Sequence, residues 1–386
     1  MSMKVLILNY ARQLFEDEEK AIGEERARMR AYAKFLDELF IVVHTLKKTG
    51  FQPTKLSDNV TLIPSKGSGK ISSFYNLLKI SSSLCSRHNI DIINAQEPYY
   101  MGVIGVYLKR KFGPKLITAV LGSNVYDQHW LSESKLNQLK STVGRFVFKH
   151  SDYIQVDGSL TERELIDKGI PKDKIFRKPI VPMNVGEQFV FNSHIIRKRL
   201  LCDKFDKILI YVGRIEKQKN IEGLIKIMPG VLNFNPRVLL LIIGEGREKA
   251  KLEKLTKGLG INGHVIFFGE IPHKYILDYY AASDIFVLPS RYEGFSRSLM
   301  EAAISGKAIV TTNVSGVSDL IIDGESGFIV GVKNMKDFQE KIIQLLLDEQ
   351  KSISFGKRIK ENIQKLPRYD EMVTQQIEFW RSACAR

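Results

Sequence analysis

Cysteine and histidine are both scarce in this chain of 386 residues. The three cysteines, Cys85, Cys202 and Cys384, lie far apart and are odd in number. They therefore predict neither a disulfide framework nor a zinc site. The seven histidines show no ligand spacing either. We expect no metal and no other cofactor.

Long apolar runs are also missing. The longest, VLLLII at Val238 to Ile243, suits a buried strand, because a membrane span needs roughly 20 apolar residues. Residues 1–20 contain neither the small-residue cleavage site nor the long apolar region of a signal peptide. We expect a protein of the cytosol, including the inner face of the cell membrane.

Acidic residues are outnumbered, with 43 Asp and Glu against 58 Lys and Arg, and the formal net charge is +15. The excess is divided almost evenly between the two halves of the chain, so it predicts a general attraction to anions, including an anionic membrane face. The densest basic cluster, at 109–115, fits a lipid surface or a solvated helix end. We expect no nucleic-acid partner, because no basic stripe interleaved with aromatics and no helix-turn-helix or RNA-recognition pattern is present.

The second half of the chain alternates apolar strand-like runs with segments of helical spacing. Such alternation predicts an α/β fold with a right-handed, mostly parallel sheet. The predicted strands are 207–212, 237–243, 265–268, 284–288, 308–312 and 327–330, and the predicted helices are 221–232, 248–259, 274–282, 298–305 and 335–348.

The first half also begins as α/β, with predicted strands within 4–10, 89–98, 115–127 and 151–158. Prolines at 179 and 182 and a glycine at 186 predict an extended linker. The length then predicts two domains, at 1–188 and 189–366, each able to bury its own core. The remaining segment, 367–386, has the length and apolar content of a C-terminal helix.

Charged side chains follow two of the predicted buried strands. Arg214 and Lys219 come after the strand that ends before Gly213, and Glu293 follows another strand. Ligands of open α/β sheets bind outside the carboxyl ends of the strands, where the two cations can neutralise a diphosphate. Glu293 can accept hydrogen bonds from sugar hydroxyls, and Glu301, on the next helix, can bind those of a ribose. The alternative is a solvated basic loop, a surface glutamate and a helix-capping glutamate.

Four ordered blocks of the second half carry a specific resemblance: LIYVGRIEKQKNIEGLIK at 209–226, VIFFGEIPHKYILDYYAASDIFVLPS at 265–290, EGFSRSLMEAAISGKAIV at 293–310 and GVSDLIIDGESGFIV at 316–330. The chain resembles the retaining glycosyltransferases of family 4. That resemblance implies the GT-B fold, in which two Rossmann-like domains face each other across a cleft. It also implies that the C-terminal domain binds the nucleotide-sugar, that the N-terminal domain binds the acceptor, and that the last helix crosses back to the N-terminal domain.

The donor-binding residues of that family carry over onto this sequence. The resemblance implies that Arg214 and Lys219 grip the donor diphosphate. It implies that Glu293 contacts the transferred sugar and that Glu301 binds the ribose. The expected donor site comprises Gly213, Arg214, Lys219, Gly244, Gly246, Glu293, Gly294, Phe295, Ser296 and Glu301, with Arg214, Lys219 and Glu293 as its catalytic residues.

Two further features belong to this expected site. The backbone amides of Phe295 and Ser296 match the positions that meet the donor sugar and phosphate, as helix N-termini favour anions. The turn GEGREK at 244–249 follows a strand and has the Gly-x-Gly of a dinucleotide-binding turn, but it lacks the third glycine. Its plainer role is a tight turn whose backbone approaches the nucleotide.

The first half departs from the family pattern at two places. The loop at 11–20 contains no glycine, where relatives often have a glycine-rich loop. The run Leu-Gly-Ser-Asn at 121–124 lacks the histidine that many relatives carry there. We name Asn124 and Asp127 as acceptor-side substitutes, with loop capping as the alternative role of each.

The resemblance implies retaining, metal-independent transfer of a glycosyl group from a nucleoside-diphosphate sugar, a UDP- or GDP-sugar first, to an acceptor hydroxyl. The expected acceptor is a glycan or a lipid-linked precursor in polysaccharide, lipopolysaccharide or glycolipid synthesis, with peripheral membrane association. Two alternatives remain open: a catalytically silent partner subunit, and a sugar-phosphate synthase or phosphorylase of the same fold. The residues leave the donor base and sugar, the linkage and the oligomeric state undefined.

Overall fold

The computed structural model describes residues 3–15, 25–122, 125–178, 192–201 and 204–385. The chain divides into two compact units. Unit 1 comprises Met1–Asp157, Thr161–Met183 and Tyr369–Arg386, and unit 2 comprises Gly158–Leu160 and Asn184–Arg368. The predicted linker at 179–186 and the predicted boundary at 188/189 lie outside the described residues, so the domain limits stay a prediction.

Unit 1 contains an eight-stranded sheet in the order β3-β4-β2-β1-β5-β6-β7-β8. Every pair of neighbours is parallel except the edge strand β3 with β4. The strands are β1 (Lys4–Asn9), β2 (Glu38–Val43), β3 (Thr54–Ser57), β4 (Val60–Pro64), β5 (Ile92–Ala95), β6 (Lys115–Val120), β7 (Tyr153–Val156) and β8 (Ile175–Arg177). The sequence predicted β1, β5, β6 and β7, and its strand-like run IFRKPI at 175–180 contains β8. It missed β2, β3 and β4.

Helices connect these strands, as parallel pairing requires. They are α1 (Glu25–Ala33), α2 (Lys70–His88), α3 (Tyr100–Phe112), α4 (Gln128–Ser132), α5 (Lys135–His150) and α6 (Ser159–Asp167), and a further helix of unit 1, α14 (Tyr369–Ala385), follows the last strand of the chain. The buried strand residues and the inner faces of α2, α3 and α5 form one core cluster. None of the helices in the described ranges is long and apolar enough to cross a membrane.

The C-terminal helix α14 packs within unit 1, which confirms its predicted return to the N-terminal half of the fold. Trp380 of α14 is 1% exposed and meets Tyr32 of α1 edge to face, with ring centroids 5.2 Å apart. Phe379 stacks on Phe176 of β8 at 3.9 Å. These aromatic contacts join α14 to α1 and β8, two elements that lie far earlier in the sequence.

We expect Trp380→Ala to destabilise unit 1 by about 3–5 kcal/mol, because it removes a fully buried aromatic side chain. The chain has two tryptophans, and the other, Trp130 of α4, also lies in unit 1. Its fluorescence during urea denaturation therefore reports the unfolding of this unit in the variant. The exposed neighbour Arg381→Ala is the control, and equal unfolding midpoints in the two variants would contradict this packing.

Unit 2 contains a six-stranded, all-parallel sheet in the order β11-β10-β9-β12-β13-β14. The strands are β9 (Lys207–Val212), β10 (Val238–Ile243), β11 (Val265–Gly269), β12 (Ile285–Leu288), β13 (Ala308–Thr312) and β14 (Phe328–Val330). All six residues of β10 are buried, as expected for a strand covered by helices on both faces. The predicted strands of the second half are confirmed to within one residue at each end.

Seven helices in the described part of unit 2 cover this sheet. They are α7 (Ser193–Leu201), α8 (Ile221–Phe234), α9 (Lys249–Gly258), α10 (His273–Ala282), α11 (Arg297–Ile304), α12 (Met335–Leu347) and α13 (Glu349–Gln364). The sequence predicted α8 to α12 and missed α7 and α13. The strand order reverses between β9 and β12, so the loops after these two adjacent strands open toward the same crevice.

Candidate functional site

The site is built on the loop that follows β9. This loop ends in a short 3-10 turn, Lys217–Lys219, and then passes through Asn220, whose φ of 51° is left-handed. Asparagine tolerates that conformation better than most residues. The turn leads directly into α8, so Lys219 is held between the end of a central strand and the start of a helix.

Lys219 and Glu293 form the central contact of the site. The Lys219 ammonium donates a short hydrogen bond to Glu293 Oε1, and the two side chains are 13% and 7% exposed. Ser290 Oγ donates to the same carboxylate oxygen at 2.7 Å. A buried ion pair of this kind depends on good geometry, since each charge gives up its hydration.

The loops after β9 and β12 are also tied through their backbones. The Arg291 N–H donates to the Gln218 carbonyl at 2.8 Å, and the Gln218 side-chain amide donates to the Tyr292 carbonyl at 3.0 Å. These bonds fix the register of one loop against the other. The approach of Lys219 to Glu293 is therefore set by main chain and not by the side chains alone.

Glu301 lies on α11 with a separate set of partners. Tyr280 OH donates to Glu301 Oε2 at 3.0 Å, and His273 Nε2 lies 3.0 Å from Oε1. Burial first, and then the charge of Glu301, raise the pKa of Tyr280 well above its ordinary value, so its hydroxyl remains a donor. A carboxylate has about four acceptor positions. Each Glu301 oxygen therefore retains one for a ligand hydroxyl.

The start of α11 adjoins the loop that follows β12 and carries Glu293. Ser296 is its N-cap, and the Ser296 Oγ accepts from the Leu299 N–H at 3.4 Å. Phe295 is buried against Gly316, where a Cβ would come within 2.5 Å of the Phe295 ring. This packing fixes the residues whose amides open the helix, which is the position that favours an anion.

Arg214 is placed differently from the other candidates. It comes directly after Gly213 and its side chain is exposed. The Tyr211 hydroxyl donates to the Arg214 carbonyl at 3.0 Å and so anchors the main chain. Among the described residues, no hydrogen bond or ion pair joins the Arg214 guanidinium to Glu293 or Glu301. The structure therefore brings Lys219 and Glu293 together and leaves Arg214 at the rim.

Gly213, Gly244 and Gly246 allow two loops to pack tightly. A Cβ on Gly244 would lie 2.1 Å from the Gly213 carbonyl oxygen, and one on Gly246 would lie 2.2 Å from the Ile215 carbonyl oxygen. The Ile215 N–H also donates to the Glu245 carbonyl at 2.8 Å. The Gly-x-Gly turn thus supports the loop that carries Arg214. Its approach to a nucleotide stays a prediction, as does the donor-binding role of Gly294.

We expect Gly246→Ala to lower the free energy of unfolding by about 1–3 kcal/mol, because the added methyl group meets a backbone oxygen. Gly258→Ala is the matched control, since a Cβ there has nothing within 4 Å. That change should leave stability unchanged or raise it by up to about 1 kcal/mol. Chemical denaturation measures both variants, and an equal effect would contradict the loop packing.

The structure describes only one of the two acceptor-side candidates. Asn124 lies outside the described residues. Asp127 is the N-cap of α4, and its Oδ1 accepts from the backbone N–H groups of His129 and Trp130 at 2.8 and 3.0 Å. It therefore has the capping role that was its alternative, and an acceptor contact stays a prediction.

Sequence reasoning missed Glu97, which lies just beyond the carboxyl end of β5. It accepts from the Tyr99 and Met101 N–H groups at the start of α3. Burial is the main cause that raises the pKa of Glu97 to about 7. In the sequence, the position of this glutamate between a buried strand and Pro98 was the available indication of a carboxylate at the end of a strand.

Comparison with known proteins identifies unit 2. The family model described as glycosyl transferases group 1 matches residues 192–365. These residues form a glycosyl transferases group 1 domain. The matched segment contains Arg214, Lys219, Glu293 and Glu301, and it covers all the described elements of unit 2 from α7 to α13.

Relatives and solved structures extend the likeness to the whole chain. The capsular polysaccharide biosynthesis glycosyltransferase CapM of Staphylococcus aureus is 25% identical over 336 residues, covering 83% of this chain and 84% of CapM. Sucrose-phosphate synthase of Thermosynechococcus elongatus has a TM-score of 0.83 at 18% identity and covers 99% of both chains. HepE of Anabaena, solved with UDP-glucose, has a TM-score of 0.74 at 18% identity, covering 98% of this chain and 99% of HepE. The fold is GT-B, as the sequence predicted.

Proposed function

We propose that this glycosyltransferase moves a glycosyl group from a nucleoside-diphosphate sugar to an acceptor hydroxyl, with retention at the anomeric carbon and without a metal ion. The observation that carries the proposal is the Lys219–Glu293 pair at the point where the strand order reverses. A cation for a diphosphate and a carboxylate for sugar hydroxyls lie in contact there, at the crevice where α/β sheets bind ligands.

The pair supplies both functions at once. An ammonium group has three donors, and one Lys219 donor is used by Glu293. Two remain for phosphate oxygens. Glu293 has a second oxygen that can accept from a sugar hydroxyl, so one ion pair would hold the diphosphate and the sugar on the two sides of the bond that breaks.

Charge develops on the leaving diphosphate as the anomeric carbon–oxygen bond breaks. Lys219 would face that position, and the exposed Arg214 can move onto the phosphates as a planar, two-pronged donor. The N-terminus of α11, opened by Ser296, adds backbone N–H groups. These positive groups together would serve the role that a divalent metal serves in other enzymes.

The donor and acceptor follow from the relatives as proposals. HepE binds UDP-glucose, so a UDP-sugar is the first donor to test, with a GDP-sugar as the alternative. CapM acts in capsular polysaccharide biosynthesis, which supports a glycan or lipid-linked acceptor. We propose that unit 1 binds this acceptor and that the reaction takes place in the cytosol.

Thermal-shift titration with UDP, GDP, ADP and their sugar conjugates, with and without magnesium, tests the donor site. We expect one nucleotide to raise the melting temperature equally in both conditions, because binding adds RT ln(1 + [L]/Kd) to stability. The rise should disappear in Arg214→Ala. A response that requires magnesium would contradict metal independence, and no response to any nucleotide would contradict the donor site.

Arg214→Ala and Lys219→Ala should each lower kcat by roughly 10²–10³-fold, the usual cost of one lost charge-stabilising donor. Lys217→Ala is the control, because Lys217 is exposed and lies in the same 3-10 turn. Initial rates of sugar transfer, with circular dichroism to confirm folding, measure the effect. Near-normal turnover in both alanine variants would overturn the proposed role.

Glu301→Gln should weaken nucleotide binding about tenfold or more, because a hydrogen bond to a charged group contributes roughly 1.5–3 kcal/mol. Wild-type protein should also bind UDP more tightly than 2′,3′-dideoxy-UDP, and the variant should lose this preference. Calorimetry measures both ligands, with the exposed Glu325→Gln as control. A variant that still discriminates between the two ligands would show that Glu301 does not contact the ribose.

A further inference from the structure

Three neighbouring helices of unit 1 carry charge of one sign. Helices α2 and α3 each contain three Lys or Arg residues and α5 contains four, and none of the three contains Asp or Glu. Helix α3 contacts both α2 and α5. The even charge balance between the two halves of the sequence conceals this concentration. We call the outer surface of α2, α3 and α5 the basic helical face.

The same helices expose large apolar side chains. Ile71 of α2 is 87% exposed and Leu139 of α5 is 62% exposed. On α3, Tyr100, Val103 and Tyr107 follow the spacing i, i+3, i+7 and are all exposed, so they form one stripe along the helix. Single exposed apolar residues are ordinary, but a contiguous set marks an interaction surface.

An apolar groove lies between the first turns of these helices. Its volume is about 490 Å³, and its walls include Ile71, Tyr75, Val103, Leu136 and Leu139. Lys140 is the one charged residue among the described side chains that line it. A groove of this composition suits hydrocarbon more than it suits a polar ligand.

The cations and the exposed aromatics share one surface. The Arg110 guanidinium lies 6.0 Å from the Phe146 ring centre, and Lys111 Nζ lies 5.7 Å from the Tyr107 ring centre. Lys140 lies over Tyr99 at 5.9 Å. Long basic side chains that run along apolar surface can keep their charged heads in water while the apolar part is buried.

A second copy of this chain is a poor occupant for the face. A two-fold interface brings the same patch together from both subunits, so it would place these cations against their own copies at a large electrostatic cost. The occupant must supply dense negative charge and hydrocarbon together. An anionic lipid bilayer does so, with phosphates at the depth of the Lys and Arg heads and acyl chains below them.

We propose that the basic helical face docks this protein on an anionic lipid bilayer. Ile71 and Leu139 enter the acyl boundary, the tyrosines lie at the headgroup level, and Arg110 and Lys111 pair with lipid phosphates. Each helix begins after the carboxyl end of a strand of the unit 1 sheet, namely β4, β5 and β6. Docking therefore brings the ligand-binding edge of this sheet close to the membrane, where a lipid-linked acceptor would reside if the proposed function holds.

Vesicle sedimentation tests the docking directly and needs neither donor nor acceptor. The full chain is mixed with vesicles of phosphatidylcholine alone or with added phosphatidylglycerol, at low and high salt. We expect it to sediment with the anionic vesicles, less at high salt, and to stay in solution with phosphatidylcholine alone. Ile71→Ser/Leu139→Ser and Arg110→Glu/Lys111→Glu should each lower the partition coefficient roughly tenfold or more.

Matched exposed pairs on unit 2 control for general effects. Leu347→Ser/Ile353→Ser removes two apolar groups that are also well exposed, at 66% and 60%, and Lys254→Glu/Lys257→Glu makes the same change in net charge as the basic test pair. Both controls should bind like wild type. Equal losses in control and test pairs, or no binding to anionic vesicles at low salt, would overturn the proposal. A lipid-free dimer that Leu139→Ser dissociates, seen by sedimentation velocity, would assign the face to a second copy instead.

Discussion

The parallel arrangement of β9 and β12 is the constraint on which the site depends. Because the two strands are hydrogen-bonded neighbours and the chain leaves both at their carboxyl ends, the loops that follow must meet. The Gln218–Arg291 and Gln218–Tyr292 bonds then fix the loops against each other. Lys219 and Glu293, separated by more than seventy positions in the chain, become an ion pair as a consequence of this topology.

Burying the Lys219–Glu293 ion pair costs free energy. Two charges lose their hydration at this position, and an apolar pair of similar volume would often stabilise the fold as well or better. Under the proposed function the arrangement is useful, because the cation is already oriented before charge develops on a ligand, which is the condition for electrostatic catalysis. Ser290, buried beside Glu293, satisfies one carboxylate oxygen further and keeps the glutamate in place.

The sequence predicted the elements whose residues are buried on both sides, because they are continuous apolar runs. The bounds of β9 and β13 were predicted to the residue for this reason. The edge strand β3 has two exposed residues and pairs antiparallel, so it carries no such run. Strand β2, ELFIVV, does contain a continuous apolar run, but it was missed. Helix α13, which packs against α11 and β13, was missed although its buried Phe355, Ile359 and Ile363 recur every four residues, as on one face of a helix.

Candidate site residues could be named where residue type and strand position suggest them, and their contacts could not be predicted where the fold decides them. Arg214, Lys219, Glu293 and Glu301 could be named from two loops and a helix. Loop packing, which only the folded structure defines, decides the rest. It determines the exposure of Arg214, the pairing of Glu301 with His273 and Tyr280, and the role of Gly246. The distribution of charge over the surface was not predictable from the sequence either, because a count over each half cannot show which cations share a surface. That surface emerges only when α2, α3 and α5 are placed side by side, and it gives unit 1 a chemical character that its loops did not indicate.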